Sequence, residues 1–181
     1  MSHNRLFIIT GGPGSGKTTL LAAAAASGLS IGQEAGRAII QSQLAIDGPA
    51  LPWADQALYG ELMLDRDIQT HAAAVAGGAV TLCDRGVPDI IGYRRLCGLP
   101  AADHVAKAAS VYRYNAAVFF APPWREIYVN DAERKQDWNE AVRTFETLRD
   151  VYVELGYRIV ELPKASVAER LAFVMDVIAN A

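Results

Sequence analysis

Near the start of the chain, Gly11-Gly12-Pro13-Gly14-Ser15-Gly16-Lys17-Thr18 carries the spacing G-x-x-x-x-G-K-[ST]. The chemistry of that spacing is the cradling of phosphate. Glycines have no Cβ, so they let a backbone wrap closely around an anion. The loop amides and the positive end of the following helix then point at it. A lysine at the place of Lys17 reaches β- and γ-phosphates, and a hydroxyl at the place of Thr18 can hold Mg²⁺. The candidate nucleotide-binding residues are therefore Gly12, Pro13, Gly14, Ser15, Gly16, Lys17, Thr18 and Thr19.

Other residues could complete such a site. Asp84 stands at the end of an apolar run, Ala79-Val80-Thr81-Leu82-Cys83, and is followed by Arg85. A carboxylate at a strand end can hold a metal or receive a hydroxyl proton; it can also simply cap a turn. Arg85 can bind an anion or pair with an acid. Glu34 follows a short possible strand, with Arg37 one helical turn on. A glutamate there can orient or deprotonate an acceptor hydroxyl, and equally it can be a first-turn acid favoured by the helix dipole. Arg125, Arg134 and Lys135 lie in a polar, irregular stretch after Pro122-Pro123. Arginines in a mobile lid can stabilise the charge of a phosphoryl group in flight, and a charged surface loop has the same composition. Trp53, Asp55, Tyr59 and Tyr93 could line a pocket, or belong to the core and helix surface.

The elements that must position these residues alternate. Leu6-Phe7-Ile8-Ile9-Thr10 reads as a buried strand, and the alanine-rich run after Thr18 as a helix. Leu29 to Ile31 is a short second strand. Helices are expected over about 35–46 and 54–75, broken by Asp47-Gly48-Pro49 and closed by Gly77-Gly78. The strand at 79–83 follows, then helical pieces over 89–96 and 102–114, and a strand at 117–120. Beyond the 124–137 segment, Trp138, Val142, Phe145, Tyr152 and Leu155 make one apolar helical face. A last strand over 157–162 precedes Ser166-Val167-Ala168-Glu169, a capping box. Val167, Leu171, Val174, Met175 and Ile178 give its helix a core stripe. Strand and helix in alternation predict an α/β fold of three layers, with helices on both faces of a parallel sheet.

Composition narrows the function classes. The 181 residues fit one domain, and the 51% apolar content suffices for one sizeable core. A net charge of −3 gives no basic surface for nucleic acid. No apolar run is long enough for a bilayer span, and no signal peptide is evident. Cys83 and Cys97 are too few for a disulfide framework, and the three scattered histidines do not suggest zinc. A cytoplasmic protein with reduced thiols is expected.

The chain also resembles small P-loop proteins known as AAA-domain or predicted ATPases, relatives of the ribosylnicotinamide kinase domain and of nucleoside and nucleotide kinases. The resemblance covers nearly the whole chain. It is carried by the glycine loop, Glu34-Ala35-Gly36-Arg37, Cys83-Asp84-Arg85-Gly86-Val87-Pro88-Asp89, Ile127 to Arg134, Leu155-Gly156-Tyr157 and Leu162-Pro163. It implies that Glu34 acts as base or acceptor ligand and that Asp84-Arg85 is the strand-end pair. It further implies that 124–137 is an arginine-bearing lid, and that Pro163 to Ser166 borders adenine. Mechanical ATPases of the AAA+ kind place an Asp-Glu pair where this chain has Asp84-Arg85. The guanine signature Asn-Lys-x-Asp is missing, which favours ATP. The expectation is an ATP- and Mg²⁺-dependent kinase acting on a small hydroxylated, nucleoside-like acceptor. In it Lys17, Glu34, Asp84, Arg125 and Arg134 are catalytic, and Thr18 and Asp84 hold the metal. Glu34, Arg37, Asp84 and Arg85 bind the acceptor. The alternative is an ATPase or nucleotide-dependent switch that works through a protein partner.

Overall fold

The computed structural model describes residues 5–128 and 137–181. Five strands, β1 (Leu6–Gly11), β2 (Ser30–Gly32), β3 (Thr81–Asp84), β4 (Ala117–Ala121) and β5 (Arg158–Glu161), form one sheet in the order β2-β3-β1-β4-β5. Every pairing is parallel; Ile9 stands opposite Asp84 on one side and Phe119 on the other. A parallel sheet covered on both faces needs strands that are apolar throughout. β1 and β4 meet this demand, since every residue in both is buried.

Among the described residues seven α-helices cover the sheet: α1 (Lys17–Ala26), α2 (Ala35–Ala45), α3 (Gln56–Gly77), α4 (Val87–Leu96), α5 (Asp103–Val111), α6 (Trp138–Glu154) and α7 (Val167–Ala179). Side chains of a strand alternate between faces. Phe7, Ile9, Leu82 and Phe119 accordingly pack with Leu20 of α1 and Val174 of α7. Leu6, Ile8, Cys83, Val118 and Phe120 pack with Leu64, Ile90, Val105 and Tyr152 of α3, α4, α5 and α6. The three-layer α/β arrangement expected from the alternating pattern is present.

β1 lies between β3 and β4, so the chain leaves β1 towards one edge of the sheet and later returns to its other side. That reversal opens a crevice at the carboxyl ends of the strands, where α/β sheets bind ligands. The glycine loop, Glu34, and Asp84-Arg85 all follow strands at that end.

Some elements depart from expectation. α4 starts at Val87, two residues early, because Pro88 fits the first turn of a helix, where its missing N–H costs nothing. β3 starts at Thr81, not Ala79, after the left-handed Gly78 that ends α3. α5 stops at Val111, short of Tyr114, whose side chain is buried in the core. The stripe on α7 is also altered. Met175 is 39% exposed, while Arg170, with only 2% exposure, occupies the most enclosed position beside Val174. The capping box is as read: the Ser166 hydroxyl accepts from the Glu169 N–H, and the Glu169 carboxylate accepts from the Ser166 N–H.

Candidate functional site

The loop from β1 into α1 is shaped by glycines where backbone geometry requires them. Gly16 has φ 76° and caps α1, and Gly14 has φ 67°. A Cβ on Gly14 would stand 2.6 Å from the Tyr128 ring. Lys17 donates to the carbonyls of Gly11 and Gly12 at 3.2 and 2.8 Å and to Ser15 Oγ at 3.2 Å. Burial, joined by the nearby Arg85 cation, brings the Lys17 ammonium down to about 7, against the pull of Asp84 and Glu34. A polyanion bound here would favour its charged form.

The loop borders a cavity of about 250 Å³. Pro13 to Thr19 line it, together with Glu34, Arg37, Asp84 and Arg85 from other elements and Ile127 and Tyr128 from beyond β4. Glu34 and Arg37 are thus brought to the loop by α2, and Asp84-Arg85 by β3. Burial raises the Asp84 carboxyl, and the Lys17 and Arg85 cations oppose that rise. Its Oδ1 is enclosed and has no hydrogen-bond partner among the described residues. Such an oxygen, in a cavity also lined by the Thr18 hydroxyl, suits a hard cation. The donor set of Thr18 and Asp84 therefore fits Mg²⁺.

Arg85 is built into the wall. It takes φ 68°, a left-handed conformation that strains a residue with a Cβ. Several contacts hold it there. Its N–H donates to the Ile9 carbonyl at 3.0 Å. Its guanidinium donates to Asp89 at 2.9 Å and to the Gly11 carbonyl at 3.0 Å, and stands 3.7 Å from Glu34. Burial works against this charge, yet Asp89, Glu34 and Asp84 together raise its pKa. Asp89 is itself saturated. It accepts from Thr10 Oγ1 at 2.5 Å, the Gly86 N–H at 3.2 Å and the Tyr152 hydroxyl at 2.6 Å, besides Arg85.

A larger cavity of about 540 Å³ adjoins the first; Pro13, Glu34 and Arg85 line both. Trp53, Tyr59 and Tyr93 line it, with Ile40, Met63, Leu96 and Leu148 supplying apolar surface. Tyr59 and Tyr93 meet edge to face at 5.6 Å. Asp55 does not line it; its carboxylate caps α3 by accepting from the Leu58 N–H at 2.9 Å. Arg125 is exposed, with its guanidinium 4.9 Å above the Trp138 ring, and lines neither cavity. Residues 129–136, with Arg134 and Lys135, lie outside the described residues, so the lid reading is described only at its flanks. Pro163 to Ser166 line neither cavity.

Residue types and spacing alone did not single out a role for Asp67, Asp89, Tyr152 or Arg170. Asp89 carried one signal: an acid three residues past Gly86 can accept from the N–H at the helix start. Arg170 had none, since an arginine one turn into a helix reads as solvent-facing. In the structure its guanidinium donates to the Ser15 carbonyl at 3.2 Å, behind the glycine loop.

A glycine loop at the switch point of a parallel sheet, with helices on both faces, defines a P-loop fold of the nucleotide-kinase kind. The chain belongs to the family described as an AAA domain, whose model matches residues 6–170. Among solved structures it is similar to NadR protein in complex with NR, with 17% identity and a TM-score of 0.73. That match covers 98% of this chain and 50% of the NadR chain. NadR protein in complex with NAD and AMP-PNP is similar at 17% identity and a TM-score of 0.70, covering 96% of this chain and 49% of that one. Thymidylate kinase from Ehrlichia chaffeensis is similar at 14% identity and a TM-score of 0.65, covering 96% and 97% of the two chains. At these identities the likeness is one of fold. The chain spans about half the length of the NadR chains it matches. No curated protein matches it. Among the described residues, no helix is long and apolar enough to cross a membrane.

Proposed function

We propose that this protein is a kinase that transfers the γ-phosphoryl group of ATP, with Mg²⁺, to a hydroxyl of a small nucleoside-like acceptor. One observation carries the reading: the phosphate-loop cavity opens beside a second, aromatic-walled cavity, and Glu34 and Arg85 belong to both. A volume of about 540 Å³ is suited to a nucleoside-sized ligand. A hydrolytic switch needs to place only a water. The fold likeness to NadR structures holding NR, or NAD and AMP-PNP, supports a nucleotide on one side and a nucleoside-type acceptor on the other.

In this mechanism the loop amides from Gly12 to Thr19 hold the phosphates. Lys17 leaves the carbonyls of Gly11 and Gly12 to reach the β- and γ-oxygens. Thr18 and Asp84 would hold Mg²⁺, which when bound neutralises charge on those oxygens. Glu34 stands at the junction of the cavities and takes the proton of the attacking hydroxyl. Arg85, fixed by Asp89 and Gly11, faces the transferred group from the same junction; Arg37 adds positive charge to the smaller cavity. Arg125 and Arg134 are assigned the task of stabilising charge on the transferred phosphoryl group. Positioning of acceptor and phosphate supplies much of the rate in such reactions.

We assign the protein to the cytoplasm, consistent with its two free cysteines. The test is ADP release from MgATP across a panel of nucleosides, vitamins and sugars, with product mass. One acceptor should raise turnover well above basal hydrolysis and gain the mass of a phosphoryl group. Stimulation by a protein partner alone would replace the kinase reading with a switch.

A further inference from the structure

The larger cavity contains a second buried aspartate that the reaction does not use. Tyr59, Met63 and Asp67 are spaced four apart on α3 and line the cavity from one helix face. Asp67 is 6% exposed. Asp89, on the same cavity wall, has four donors around it. Asp67 receives a hydrogen bond from no described residue, yet a buried carboxyl left without partners is costly. The cavity it lines combines aromatic and charged walls: the Tyr59–Tyr93 pair and Trp53, 62% exposed, stand in it with Glu34, Arg85 and Asp89. Aromatic walls with polar groups set among them suit a planar ring whose polar edge meets one of those groups, and Asp67 is the carboxyl there that no described donor already occupies.

We propose that Asp67 determines acceptor specificity by hydrogen-bonding the amide edge, N–H beside C=O, of a planar heterocyclic base. This rests on the larger cavity being the acceptor site. A carboxylic acid offers an O–H donor beside a C=O acceptor, which complements that edge with two parallel bonds. The cavity favours that uncharged form. Burial raises the Asp67 carboxyl first, and Asp89 of α4, Glu34 before α2, and Asp84 of β3 add to the rise, while the Arg85 cation opposes it. The Cys83 thiol and Tyr114 phenol, also coupled to Asp67, are themselves held neutral by burial.

The test is calorimetric binding of uridine and inosine, each compared with its ring-N-methylated form (3-methyluridine, 1-methylinosine), to the full chain without ATP. The unmethylated base of at least one pair should bind ten-fold or more tightly than its methylated form. D67N, which keeps a donor beside an acceptor, should retain that preference, and D67L should abolish it. Equal binding of both members of each pair, or no binding of either, overturns the proposal. The same compounds are then tried in ATP turnover. An Asp67-dependent ligand that releases no ADP refutes the kinase reading alone. Acceptor-dependent turnover with the same KM in D67L and the unmodified protein refutes this assignment and leaves the kinase reading standing.

Discussion

Lys17 directs its ammonium at its own loop, at 2.8 Å from the Gly12 carbonyl. It must exchange these contacts for phosphate oxygens, and only a cation on a long stem can do so. Lys17→Ala should weaken MgATP binding by about ten-fold or more and lower turnover by about 10²–10³, the cost of one lost charge-stabilising donor; isothermal calorimetry and ADP release check this. Glu34 has a different task. Glu34→Gln would remove the proposed base but keep the shape, so acceptor-stimulated turnover should fall by about 10²–10⁴ while MgATP affinity changes little. Loss of both together in that variant would make Glu34 a structural acid. Tyr152 acts one layer behind. Its fully buried hydroxyl gives Asp89 a hydrogen bond at 2.6 Å, and Asp89 in turn holds Arg85. Tyr152→Phe should cost about 1.5–3 kcal/mol in urea unfolding, the range for a buried bond to a charged group. A cost below about 0.5 kcal/mol would show that Asp89 does not need this donor.

At the scale of elements, α3 carries a built-in pH dependence. Asp67 has a folded-state pKa raised above its unfolded value, chiefly by burial. The native protein then keeps a proton that the unfolded chain has released, so this group lowers stability as pH rises above about 4, until the folded pKa is passed. Asp67→Asn cannot ionise. Its melting temperature should therefore gain on that of the unmodified protein between pH 4 and pH 8, with the two closest at the acid end. A constant difference across that range would contradict the assignment. Elements of this kind were legible as elements but not as chemistry. The apolar runs of β1, β3 and β4, the glycine loop and the capping box at Ser166 follow from local pattern, because each depends on neighbours in sequence. Glu34, Arg37, Asp84 and Arg85 were found because each follows a strand at the edge where parallel sheets bind ligands. Asp67 and Arg170 were not, because an acid or an arginine inside a helix has no local mark of burial. Only the packing of α3 against α4, and of α7 against α1, encloses them. The left-handed Arg85 was equally invisible: its strain is sustained by contacts to Ile9, Gly11 and Asp89, which come from two other elements.

At the scale of the whole molecule, the sheet order β2-β3-β1-β4-β5 places two cavities side by side at the carboxyl edge. One is lined by the glycine loop, the other by aromatic rings set among charged and apolar side chains. The helix pair α1 and α7 backs the first through Arg170 and Ser15, while α3, α4 and α6 enclose the second. That division between faces would let the proposed two-substrate reaction bring both partners together within 181 residues. The central claim is therefore that a second small molecule takes the phosphoryl group. It is tested most directly by incubating the protein with MgATP and a broad panel of hydroxylated metabolites, and following ADP with product mass. The account predicts slow basal hydrolysis, strong stimulation by one ring-bearing acceptor, and a product heavier by one phosphoryl group. Turnover that no small molecule stimulates, with inorganic phosphate as the sole product, would contradict it.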